Sequence, residues 1–191
     1  YTYNEYNDIR TFTNGIGFTT VFDYTTGNLT QINHPIGAPT RMARNPQGLI
    51  EQLTTPAGIV TTFGYNSYGN LLNTSTANAP NPAITTSATY DDLSRVASKT
   101  DARGNSVTYD YFANDLLKKM NAPLGYTVGY GYDANDNSTS VTNAKGNPTT
   151  MVYDQHTDQL MERKFGTKTE TFTYYMDGSL HTYTNGRGNL F

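Results

Sequence analysis

An aromatic residue returns along this chain at a fixed interval. Tyr90, Tyr111, Tyr132, Tyr153 and Tyr174 each stand 21 residues after the one before, and Tyr65 opens the same frame 25 residues ahead of Tyr90. Four residues after an anchor comes Gly or a small polar residue, and six after it usually an aliphatic one. Arg44 with Gly48 and Ile50, Phe22 with Gly27 and Leu29, and Tyr3 with Asn7 and Ile9 continue the pattern less cleanly, so about nine units fit the 191 residues. A unit this short cannot hold a core of its own. It must be one supersecondary element, stable only when stacked on its neighbours.

Glycine marks the same period independently. Gly58, Gly104, Gly125, Gly146 and Gly188 each fall fourteen residues after an anchor, with Gly37 and Gly166 one position out. A bulky residue also stands two before the anchor, as in Phe63/Tyr65, Tyr109/Tyr111, Tyr130/Tyr132, Met151/Tyr153 and Phe172/Tyr174. Two-residue spacing puts both on one face of a strand, and these pairs are expected to be buried or stacked. Each unit therefore reads as strand, turn, strand, turn. The first turn is rich in Asp, Asn and Gly, as in Tyr65-Asn66-Ser67-Tyr68-Gly69-Asn70, where glycine reaches positive φ without cost and Asx side chains bond their own backbone. The second is seen at Asn185-Gly186-Arg187-Gly188-Asn189.

Composition agrees with an all-β chain and disfavours a helical one. Thr numbers 32 and Asn 20, while hydrophobic residues make up only 36%, so strands and tight turns are favoured and a large single core is not. An isolated hairpin is marginal in water. About eighteen strands are expected to add edge to edge, and the right-handed strand twist should make that ribbon curl or spiral. The expected organisation is one array over 1–191, with degenerate units in 1–64 and regular ones in 65–191. The four extra residues between Tyr65 and Tyr90 are assigned to a bulged-out loop at 77–83, because Pro80 and Pro82 do not suit a central strand.

Net charge is −3 with 13 scattered basic residues, which argues against nucleic acid and anionic membranes as partners. With no cysteine there is neither a disulfide framework nor a thiolate metal site. No apolar run is long enough for membrane insertion by a helix, and Tyr1-Thr2-Tyr3-Asn4 has neither an initiator Met nor a signal sequence, so the chain reads as an excised piece.

Tyr90-Asp91-Asp92-Leu93-Ser94-Arg95-Val96, followed by Thr100-Asp101-Ala102-Arg103-Gly104-Asn105 and Tyr109-Asp110-Tyr111, resembles the YD repeat of the Rhs family. Further copies stand at Tyr132-Asp133 and Tyr153-Asp154, while Phe22-Asp23 and Arg44-Asn45 depart from the pattern. The resemblance implies a secreted or cell-surface β-shell, as in bacterial polymorphic toxins, insecticidal toxin complexes and teneurins, enclosing a C-terminal effector in toxin members. It implies as partners the rest of the parent chain and its effector. The family's Asp-Pro self-cleavage signature has no counterpart here, since no Asp-Pro dipeptide occurs. The chain is expected to be a stretch of shell wall.

Catalytic and metal sites are not expected. Asp133-Ala134-Asn135-Asp136-Asn137-Ser138 begins like a calcium loop, but Ser138 replaces the glycine and Ala144 stands where the bidentate Glu belongs. His34, His156 and His181 lie in different units. Gly178-Ser179-Leu180-His181 lacks a nucleophile elbow, and the partial Gly-x-Gly runs at Gly129-Tyr130-Gly131 and Gly186-Arg187-Gly188 open no helix. No cofactor is implied and the chain is read as a non-enzyme. Tyrosines are expected to stack across strands, their hydroxyls reaching water or a partner at the sheet rim. The alternative function is a glycan- or receptor-binding module in which Tyr109, Tyr111, Tyr130 and Tyr132 stack on a ligand.

Overall fold

The computed structural model describes residues 1–191, the side chain of Asn78 apart. It is all-β. In order the strands are β1 Thr2–Tyr3, β2 Ile9–Thr13, β3 Thr19–Thr25, β4 Asn28–Asn33, β5 Thr40–Arg44, β6 Ile50–Thr54, β7 Val60–Tyr65, β8 Leu71–Asn78, β9 Asn81–Tyr90, β10 Val96–Thr100, β11 Ser106–Tyr111, β12 Leu117–Asn121, β13 Thr127–Tyr132, β14 Ser138–Thr142, β15 Pro148–Tyr153, β16 Leu160–Phe165, β17 Lys168–Tyr174 and β18 Leu180–Thr184. The only helical turn among the described residues is the 3₁₀ segment Pro123–Gly125.

Two compact units are present, Tyr1–Asn105 and Ser106–Phe191. In the first, β1 to β10 pair with their sequence neighbours in antiparallel order. In the second, β11 to β18 do the same. Every strand pairing is thus made with the next strand in sequence, which is why 21 residues suffice to specify a repeat.

Within each unit one face carries a lateral row of bulky side chains. In the first, Phe22 stands opposite Ile32, Met42 opposite Leu53 and Phe63 opposite Thr74. In the second, Tyr109 faces Met120, Tyr130 faces Val141, Met151 faces Arg163 and Phe172 faces Tyr183. The other face is lined by Thr, Ser and Lys, with hydroxyl pairs such as Thr13–Thr19 at 2.8 Å and Thr89–Ser98 at 2.7 Å. The apolar row is half-buried only: among the described residues no hydrophobic side chain is fully buried, and Glu170, 8% exposed, is the one residue that is. The bulky pairs therefore share a face, as two-residue spacing requires, but they are not enclosed.

Two sequence expectations need correction. Residues 77–83 form no bulged-out loop. The extra residues lengthen the β8–β9 hairpin, with Thr76 opposite Ile84 and Asn78 opposite Asn81. Pro82 and Ala83 together face Ala77, so the proline sits in a bulge, where it forfeits no ladder bond. On its other side β9 pairs with β10 only from Ser87 to Tyr90. Secondly, the anchor of the second unit is Tyr24, not Phe22. Tyr24 faces Leu29, and a two-residue turn at Thr26 (φ 48°) and Gly27 (φ 76°) replaces the longer loop.

Candidate functional site

The recurrent geometry is a bulge locked by a tyrosine. Wherever an anchor closes its strand, the partner strand carries one extra residue. Tyr65 faces Leu71 while Gly64 faces Asn73, so Leu72 is unpaired. Ala97, Lys118, Thr139, Met161 and His181 occupy the same position after Tyr90, Tyr111, Tyr132, Tyr153 and Tyr174. Arg10, Thr30 and Glu51 do so in the earlier units. A bulge disturbs the ladder and leaves backbone groups in search of partners. The next anchor supplies one. The hydroxyl of Tyr24 donates to Ile9 O at 3.0 Å, Tyr65 to Ile50 O, Tyr90 to Leu71 O and Tyr174 to Leu160 O, each at 2.9 Å. Each acceptor immediately precedes a bulge residue. Arg44, which replaces tyrosine at its anchor, instead donates Nη1 to Gly48 O of its own turn at 2.7 Å.

Both turns share one design. The residue after the anchor donates its N–H to a carbonyl four residues on and accepts from an N–H three residues on, as at Asn66 with Asn70 O and Gly69 N. Its side chain repeats this: Asn66 Oδ1 accepts from Tyr68 N at 3.0 Å and Asn70 N at 2.9 Å. Asp91, Asp101, Asp133, Asn143 and Asn185 do likewise. The fourth turn residue has positive φ: Gly58, Gly104, Gly125, Gly146 and Gly188 lie between +78° and +82°, and Ser94, Asp115 and Asp136 take the same conformation. Asp133 and Asp136 thus belong to an ordinary repeat turn, and Asp136 Oδ1 accepts from Asn114 of the preceding unit at 2.7 Å.

These bonds act on the carboxylates. The Asn105 side chain, then the Asn105 and Arg103 N–H groups, hold Asp101 below the ordinary carboxylate range. The His156 and Thr157 N–H groups do so for Asp154, and the Ser179 hydroxyl for Asp177. Ser179 Oγ lies 2.6 Å from Asp177 Oδ1, while the His181 ring rests against Tyr175 at 4.2 Å between centroids. That serine is therefore a turn residue hydrogen bonded to Asp177.

One charged cluster interrupts the apolar row. Glu170 accepts from Arg163 Nε at 2.7 Å and from the Tyr183 hydroxyl at 2.8 Å. Arg163 and Glu170 face each other across β16 and β17, where other units place Val141 with Thr149 or Met120 with Val128. The Arg163 bond, then that of Tyr183, lowers the Glu170 pKa, and Glu170 in turn raises that of Tyr183.

The residues proposed for ligand stacking, Tyr109, Tyr111, Tyr130 and Tyr132, are half-buried on the apolar face, where Tyr132 meets Phe112 edge-on at 6.0 Å. Tyr130 also borders a cavity of about 500 Å³ with Lys118, Lys119, Thr127 and Thr142. A larger cavity, about 590 Å³, lies in the first unit between the Asn4–Asp8 turn and the short Thr26-Gly27 turn. Sequence reasoning missed this one; its only trace is the slipped anchor frame at Tyr24. No group of three or more candidate metal ligands occurs among the described residues.

Residues 113–148 match the RHS Repeat family. The chain carries an Rhs repeat. The matched segment runs from the first turn after Tyr111 to the start of β15 and contains the bulges at Lys118 and Thr139 with the positive-φ residues Asp115, Gly125, Asp136 and Gly146. No curated protein matches the sequence. Among solved structures, this Rhs-repeat chain is similar to the TcdB2–TccC3–Cdc42 complex and to TcdB2–TccC3, each with a TM-score of 0.48 and 13% identity over 87% of this chain. The Photorhabdus luminescens Tc holotoxin pore with a TccC3 substitution gives 0.47 and 13% over the same share. The chain spans 12% of the length of each of these. No helix among the described residues is long and apolar enough to cross a membrane.

Proposed function

We propose that this chain is a non-catalytic structural module, a stretch of β-shell wall in a secreted or surface Rhs/YD-repeat protein that encloses or presents an effector. The observation that carries the reading is a repeated sheet with one polar and one apolar face and no enclosed core among its described residues. A face of half-buried Phe, Met, Tyr and Leu is what a wall turns toward contents. The recurrent Asp and Asn side chains bond the turns and four anchor tyrosine hydroxyls bond carbonyls beside the bulges, which is the work of a scaffold. Its partners on this reading are the rest of the parent chain and the effector. Limited proteolysis of the parent protein tests it. The effector should resist cleavage in the intact protein and become cleavable when Gly146→Val weakens the wall; equal cleavage rates in both would overturn the proposal.

A further inference from the structure

The cavity of about 590 Å³ beside the Thr26-Gly27 turn gathers Tyr3, Tyr6 and Tyr24 with Glu5 and Arg10. Its size is within the range of small-molecule sites. The rings are accessible, Tyr3 being 54% and Tyr6 72% exposed. The charged heads are unengaged: among the described residues neither Glu5 nor Arg10 has a side-chain hydrogen bond or an ion pair. Opposite charges thus line one cavity without closing on each other.

The geometry points to a binding site for a zwitterionic phosphocholine-type group. A methylated ammonium is attracted to tyrosine faces and cannot be satisfied by hydrogen bonds, so rings and nearby carboxylates are its natural surroundings. A phosphate prefers a guanidinium, which offers paired donors. Here three tyrosines and the Glu5 carboxylate await the cation, and Arg10, set out from the ladder as the bulge residue of β2, awaits the anion. A neutral sugar would use the rings but leave the separated charges unanswered. A simple anion would meet the Glu5 carboxylate beside the one guanidinium and leave the rings unused. The site is independent of the wall role.

Titration of the whole chain with free phosphocholine, followed by amide shifts in an NMR spectrum, tests the chemistry. Saturable shifts confined to residues 3–10 and 22–27 are expected, with choline weaker and inorganic phosphate weaker still. Tyr6→Ala should weaken phosphocholine at least about tenfold, equivalent to ~1.4 kcal/mol, with an unchanged melting temperature, because its ring is mostly in solvent. Arg10→Gln should bring phosphocholine down to the affinity of choline while leaving choline itself unchanged. Absence of saturation, equal loss of both ligands in Arg10→Gln, or tighter binding of maltotetraose would each overturn the assignment. Co-sedimentation with phosphatidylcholine but not phosphatidylglycerol vesicles would place the group on a lipid surface; free ligand binding without co-sedimentation would place it on a soluble or polymer-borne molecule.

Discussion

At the scale of the residue, the anchor tyrosine works through its oxygen more than its ring. In the units of Tyr24, Tyr65, Tyr90 and Tyr174 that oxygen secures a carbonyl next to the preceding bulge, so phenylalanine keeps the packing and orphans the carbonyl. Removing one such bond costs about 1 kcal/mol, or roughly 2–4 °C in a chain of this size. Tyr90→Phe should lower the melting temperature by that amount. Tyr132→Phe should leave it unchanged, since the Tyr132 hydroxyl bonds nothing among the described residues and its contact with Phe112 survives. The Arg163–Glu170 pair makes a second case. Arg163→Met alone strands a carboxylate in the apolar row, whereas Arg163→Met with Glu170→Thr restores the pairing of apolar and small residues used elsewhere in the sheet. Thermal melts should rank the double variant above the single one.

At the scale of the element, the turn is the unit of design, and its chemistry explains what could be read in advance. A positive φ leaves a trace in the sequence, because few residues other than glycine, asparagine and aspartate adopt it, so the period, the glycine positions and the hairpin boundaries were legible. The bulge left none. Arg10, Leu72, Ala97 and His181 all occupy it, since an unpaired strand residue faces no demand on its side chain. Phe22 passed for an anchor because a shortened turn shifts the frame, and the cavity that this turn flanks was invisible for the same reason. Pro82 was misjudged because proline excludes a regular ladder position but not a bulge. The turn carboxylates also fix how the fold meets acid. Asp101, Asp154 and Asp177 have pKa values below the ordinary 3.8, so their contribution is fully present above that value and is lost as pH falls through the folded pKa. Melting temperature should hold steady from neutrality toward pH 4 and fall below it. Asp154→Asn, which cannot ionise, should show a smaller acid-induced drop than the parent chain.

At the scale of the whole molecule, stability has no centre. Strands contact their sequence neighbours, no hydrophobic side chain among the described residues is enclosed, and the ladder bonds, turn bonds and tyrosine tethers are distributed along the chain. Such a molecule behaves as a sum of local units and nearest-neighbour couplings, and damage should stay where it is made. Gly58 offers a clean place to make it: its φ is +78° and no atom stands within 4 Å of the point a Cβ would occupy, so Gly58→Val strains the β6–β7 turn through backbone conformation alone, by about 1–2 kcal/mol or more for a β-branched residue. Hydrogen exchange of the folded protein then separates two kinds of architecture. In a globule with one core the slowest amides all open in a single global event and would accelerate together. In this array, amides of β6 and β7 should exchange several-fold faster, those of β5 and β8 less so, and those of β15 and β16 at the rate of the parent chain. Uniform acceleration across all strands would mean that the repeats share one cooperative unit and that their couplings exceed their individual stabilities.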